Sequence, residues 1–201
     1  PDAESRRQLA LVHKRLGAIL MDTGAAGRAM PHLEAAVTLD EESLAESPSS
    51  AARQRDLSTS NTQLGTGRLR AGDVSGAIVA FGRAVTLREG IYAADRTNAQ
   101  GPRDLASALR YLGSAYADAG QTDTAIPLLE RALGMDVRLR RDDNLRSTIL
   151  HSLAGALERA GLRQRAAAVW RNAHDTDRTL VGNQPENLVF RRGAAISAEA
   201  L

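Results

Sequence analysis

The chain has 201 residues, with 26 Lys+Arg against 24 Asp+Glu and a formal net charge of +2, a balance too small to make a polyanion-binding surface. Lys14 is the only lysine, and so arginine-heavy a chain reflects a GC-rich genome better than it does nucleic-acid contact. There is no cysteine, hence no disulfide framework or thiolate chemistry, which fits a cytoplasmic location, and no apolar run approaches the ~18 to 20 residues of a membrane helix.

In chain order, a first helix is expected over about Ala3 to Asp22. Asp2 is its N-cap, and Leu9, Val12, Leu16 and Leu20 lie on its packed face. Gly24 ends it. A second runs from about Ala26 to Glu46, with Pro31 placed where it removes at most one backbone bond, and Ser47-Pro48-Ser49-Ser50 breaks the pattern. The third spans about Ala51 to Arg70, and the fourth, capped by Asp73, about Val74 to Ala94. After the polar linker Asp95 to Gly101, Pro102 opens a fifth helix reaching Ala119. Thr122 or Asp123 then caps a sixth that extends to about Arg141, with Pro127 in the place of Pro31. A break at Asp142-Asp143-Asn144 leads to a seventh helix, about Leu145 to Ala160, and an eighth, about Arg163 to Leu180. Beyond Gly182-Asn183-Gln184-Pro185, residues 186–201 are expected to form a capping helix or the start of a further repeat.

These helices pair into hairpins at 3–46, 51–94, 102–141 and 145–180 because a single spacing recurs four times. Its copies are Leu16-Gly17, Gly24, Ala29, Leu33, Ala36; Leu64-Gly65, Gly72, Ala77, Phe81, Ala84; Leu112-Gly113, Gly120, Ala125, Leu129, Ala132; and Leu153-Ala154, Gly161, Ala166, Trp170, Ala173. Each mid-hairpin glycine falls where a first helix must stop, and glycine tolerates the left-handed backbone of a helix C-terminus. The small residue seven positions earlier lets the second helix approach, the two alanines return that closeness, and Leu33, Phe81, Leu129 or Trp170 fills the space between. A hairpin so built keeps an apolar outer face until a neighbour covers it.

With Tyr116 three residues after Gly113, the pattern resembles the tetratricopeptide repeat over roughly Leu9 to Asp177. The period departs from that family's: Gly17, Gly65 and Gly113 are 48 residues apart and Ala154 follows by 41, against about 34 for the ordinary repeat. The excess of 14 or 7 is near a whole number of helical turns, so the helices lengthen without rotating their packed faces. Stretched repeats of this kind resemble those of kinesin light chains. With Arg55-Asp56-Leu57 and Arg103-Asp104-Leu105 in the linkers, they also resemble arrays following the catalytic domain in bacterial eukaryotic-like serine/threonine protein kinases. Pro1 to Arg7 is in register with Thr97 to Arg103, so the chain is expected to begin within a linker, as a piece of a larger protein.

The resemblance implies an all-α, right-handed α-α superhelix of four hairpins and a terminal helix, forming one array over 1–201. In that family the first helix of each hairpin lines a concave groove. Lys14, Arg15, Ala18, Thr62, Gln63, Thr66, Arg70, Arg110, Tyr111, Ser114, His151, Ser152 and Arg159 would stand there. Arginine's rigid fork suits carboxylates, so an acidic or C-terminal peptide is the expected ligand of a non-catalytic interaction module. Self-association, or a spacer array without a peptide ligand, is the alternative. The family's chaperone-tail clamp does not carry over, because Ala18 stands where an Asn would follow Lys14 and Gln63 replaces the second Asn.

Chemistry is otherwise sparse. His13, His32, His151 and His174 form no His-x-x-x-His pair, so no metal or other cofactor is expected. Gly65-x-Gly67 lies inside a helix and serves helix crossing, not phosphate binding. No nucleophile elbow, Walker lysine or kinase catalytic loop occurs, and carboxylate pairs such as Glu41-Glu42 read as solvated charge.

Overall fold

Four glycines with left-handed backbone punctuate the chain: Gly24, Gly72, Gly120 and Gly161, at φ of 76°, 81°, 75° and 73°. Each is followed by a residue whose N–H reaches back five positions into the helix just ended: Ala25 to Leu20, Asp73 to Arg68, Gln121 to Tyr116 and Leu162 to Leu157, at 2.8 to 2.9 Å. The glycine N–H bonds the carbonyl three residues before it, so carbonyls left open by the helix end are satisfied in the double-bonded cap that glycine favours.

The computed structural model describes residues 2–135 and 143–201. Among them are nine helices and no strand: α1 Ala3–Asp22, α2 Ala26–Glu46, α3 Ala51–Arg70, α4 Val74–Ala94, α5 Gly101–Asp118, α6 Thr122–Gly134, α7 Asp143–Arg159, α8 Arg163–Asn183 and α9 Leu188–Glu199. They divide into two compact units, Pro1–Gly101 and Pro102–Leu201.

In the first unit α1 packs on α2, α2 on α3 and α3 on α4. The close approaches fall where the sequence spacing puts them. A Cβ on Gly17 would stand 2.6 Å from Leu33 Cδ2, and one on Gly65 would stand 2.6 Å from Phe81 Cε1. Phe81 is 1% exposed, and burying such a side chain contributes about 1.5 to 3 kcal/mol. In the second unit Gly113 admits Leu129 in the same manner, whereas Ala154 packs in one cluster with Trp170, whose indole N–H donates to Glu158 Oε1 at 2.9 Å.

Asp2 and Asp73 cap α1 and α4 as expected, accepting from Ser5 and Gly76 N–H at 2.8 Å. Neither Thr122 nor Asp123 caps α6; its N-cap is Gln121, which makes no side-chain cap bond. The expected course of the sixth helix to Arg141 and the break at Asp142 lie outside the described residues. The seventh helix begins two residues earlier than expected, at Asp143, and the eighth runs on to Asn183.

The packed face of α1 needs correction. Leu20 is buried, but Leu9, Val12 and Leu16 are exposed. Their counterparts 48 residues on, Leu57 and Leu64 in α3, are covered because they pack in one cluster with Leu33 and Val37 of α2, whereas no described helix covers that face of α1.

Candidate functional site

Two buried carboxylates organise the inner helices. Asp40 on α2 is 1% exposed, and its Oδ2 accepts from Lys14 Nζ of α1 at 2.9 Å and from Ser60 Oγ of α3 at 2.5 Å. Lys14 is itself buried, so its ammonium serves the junction of three helices instead of facing a ligand as the sequence reading expected. Asp177 on α8 is held likewise: His151 Nε2 of α7 lies 2.8 Å from Oδ2, Ser197 of α9 donates to the same oxygen at 2.8 Å, and Ser147 of α7 donates to Oδ1 at 2.5 Å. An ionised carboxylate only accepts, so the His151 proton sits on Nε2. Burial acts to raise the Asp177 pKa, but the hydrogen bonds from His151, Ser147 and Ser197 outweigh it and hold the carboxyl below its ordinary value.

The remaining expected groove residues of the first unit sort by what they touch. Arg15 is exposed. The Thr62 and Thr66 hydroxyls donate to carbonyls four residues back in α3, both at 2.9 Å. Arg70 donates from Nη1 to Met21 O at 2.7 Å, satisfying a carbonyl in the last turn of α1. Gln63 is half-buried, with an Oε1 that has no hydrogen-bond partner.

In the second unit four expected residues come together. Ser114 on α5 donates to Ser152 on α7 at 3.0 Å, and these two, His151 and Arg159 line a cavity of about 300 Å³ between the helices. Small residues make the room: Ala117 and Gly155 also form part of the wall. Asp118, which the sequence reading did not single out, lies 3.4 Å from Arg159 and offsets its charge at one end of the cavity. One turn before Ser114 on α5, the Arg110 guanidinium stands 4.1 Å from the Tyr111 ring centroid, within cation–π reach, and its Nε has no hydrogen-bond partner. His151 turns its ring edge-on to Trp170 at 5.1 Å and commits its Nε2 to Asp177.

Among the described residues no three His, Asp or Glu side chains are grouped as a metal site would need, and no helix is long and apolar enough to cross a membrane.

Stacked hairpins of paired helices have solved counterparts. The chain superposes on a kinesin light chain-like protein of Podosopora anserina with nearly identical TPR-like repeats, at a TM-score of 0.68 and 19% identity, covering 100% of this chain and 88% of that one. The fold is that of the TPR-like repeat proteins. BtubC (BKLC) from P. vanneervenii shares it, at a TM-score of 0.71 and 20% identity over 88% of this chain and 66% of that one. No protein-family model matches the sequence, and no curated protein matches it. The fold thus has solved counterparts at about one-fifth identity.

Proposed function

We propose that this chain is a non-catalytic interaction module, forming one TPR-like array over 1–201, which captures an acidic or carboxylate-ended peptide along the first helices of its hairpins. The observation that carries the reading is Arg110. Its fork is held over Tyr111, its Nε lacks an acceptor, and it stands one turn from the α5–α7 cavity. A carboxylate supplies the missing acceptor, the tyrosine ring offers apolar contact, and Ser114, Ser152 and Arg159 offer polar contact nearby. In the first unit Arg15, Thr62, Gln63, Thr66 and Arg70 are the further candidate contacts, whereas Lys14 acts through Asp40. The Arg-Asp-Leu motifs, which lie within α3 and α5, support a regulatory or scaffolding place within a larger bacterial signalling protein, such as a cytoplasmic serine/threonine kinase.

Calorimetric titration with a glutamate- and aspartate-rich peptide and its glutamine/asparagine counterpart tests the reading. Binding of the acidic peptide alone, weakening as salt rises, supports it. Equal binding of the two peptides, or none of either, removes it.

Self-association is the second reading, favoured by one observation. Leu9, Val12, Leu16 and Ile19 form an exposed apolar stripe along one side of α1. Light scattering that finds a dilution-stable dimer, lost when Val12 and Ile19 are made polar, would favour it over peptide capture.

A further inference from the structure

A second cleft opens on the first unit, between α2 and α4 above α3, with a volume of about 450 Å³. Leu57 and Leu87 give it apolar walls, and Gly82 leaves space that a Cβ would enter without meeting anything within 4 Å. Glu41 on α2 and Arg83 on α4 also line it, 3.6 Å apart and each at least half exposed.

Asn61 also lines the cleft. It stands eleven residues before Gly72, where the third and fourth hairpins have the core leucines Leu109 and Leu150 before Gly120 and Gly161, and the first has the half-buried His13 before Gly24. Asn61 is as buried as the two leucines, at 1% exposed. Its Nδ2 donates to Leu57 O at 3.0 Å, which fixes the amide orientation, since the flipped amide would set two carbonyl oxygens against each other. That leaves Oδ1 buried with no hydrogen-bond partner. An acceptor stripped of water and left unpaired destabilises the fold, and leucine at this position would avoid the cost. The exposed Glu41–Arg83 pair is the part of the cleft most easily displaced, because such pairs contribute little.

We infer that this cleft is a binding site for a neutral side chain with an apolar body and a hydrogen-bond donor at its tip, the chemistry of a tyrosine from a protein partner. The ring lies between Leu57 and Leu87, and its hydroxyl donates to Asn61 Oδ1. The cleft is separate from the α5–α7 cavity and needs no acidic ligand, so either assignment can fail without the other.

The test uses N-acetyl-tyrosinamide and its O-methyl ether as probes, with the whole chain isotope-labelled and the Asn61 side-chain amide followed by NMR. The free phenol should bind with a dissociation constant of about 10 mM or tighter, as expected for a fragment-sized ligand, and should shift the Asn61 amide signal. The ether, which cannot donate, should bind at least about tenfold more weakly. Asn61→Leu should abolish phenol binding and raise the melting temperature. Equal binding of the two probes, no binding of either, or phenol binding that survives Asn61→Leu would overturn the assignment. The comparison of probes on the unmodified chain decides the matter even if that variant fails to fold.

Discussion

Asp40 and Asp177 hold one position in two different hairpins, sixteen residues after Gly24 and Gly161, and each is met from ten residues before its glycine, by Lys14 at 2.9 Å and by His151 at 2.8 Å. A serine on the following helix completes each clasp. Ser60 lies ten residues after the N-cap Ser50, and Ser197 ten after the N-cap Asn187. α9 therefore docks on α8 through the same contact that docks α3 on α2.

Breaking one clasp should be costly. Asp40→Ala leaves the Lys14 ammonium buried and unpaired, and should lower unfolding free energy by about 3 to 5 kcal/mol, read from urea denaturation. Lys14→Met combined with Asp40→Leu should recover most of that loss, since apolar side chains of similar size have no desolvated charge to offset.

The Asp177 clasp carries a pH dependence with a defined sign. Its folded pKa lies below the unfolded value of about 3.8, so the folded state binds its proton less readily. The contribution to stability is fully present above that unfolded value and is lost as pH falls through the lower folded one. Urea midpoints of the natural chain and of Asp177→Asn, measured against pH, should be separated by a constant gap near neutrality that narrows below about pH 4. A gap that widens in acid would reverse the assignment.

Gly65→Leu should disrupt the second hairpin. The first added carbon already falls 2.6 to 2.8 Å from three atoms of the Phe81 ring, which is itself buried and cannot swing aside. Overpacking of this kind costs about 1 to 3 kcal/mol, and denaturant unfolding should show that loss or a larger one. Gly82→Leu on α4, where a Cβ meets nothing within 4 Å, is the matched control and should be close to neutral.

Arg110→Ala should leave the unfolding midpoint nearly unchanged and weaken the acidic peptide several-fold in calorimetry, with a shallower salt dependence. A variant that loses stability instead would show that the arginine's stacking on Tyr111 is structural.

The repeat was legible in residues that act alone. A glycine forced to positive φ, or a missing Cβ opposite Phe81, leaves its mark at one position, so the hairpins, their glycine caps and the helical tail could be read directly from spacing. The inner face was less legible, because a side chain's orientation within a helical face does not reveal what stands across from it. Lys14 and His151 belong to the first helices as expected, but both are committed to carboxylates 26 residues away. The sequence does hold that signal: the 26-residue interval occurs twice, in register with the glycines, and pairs a basic or imidazole residue with an aspartate both times. Leu9, Val12 and Leu16 misled for a different reason, since periodicity marks an apolar face without showing whether anything covers it.

In the second hairpin the position of Asp40 and Asp177 is occupied by Arg88, whose guanidinium reaches Ser58 at 2.8 Å and Thr59 at 3.3 Å. Successive hairpins are thus not interchangeable parts. Exchanging α2 for α4 would drive two cations, Arg88 and Lys14, into one dry junction, and the reverse exchange would set the Asp40 carboxylate opposite Thr62, which has no charge to offer it. The sign of the charge at this one position sets the second hairpin apart from the first and the fourth, a lock against exchanging them that shape alone would not provide.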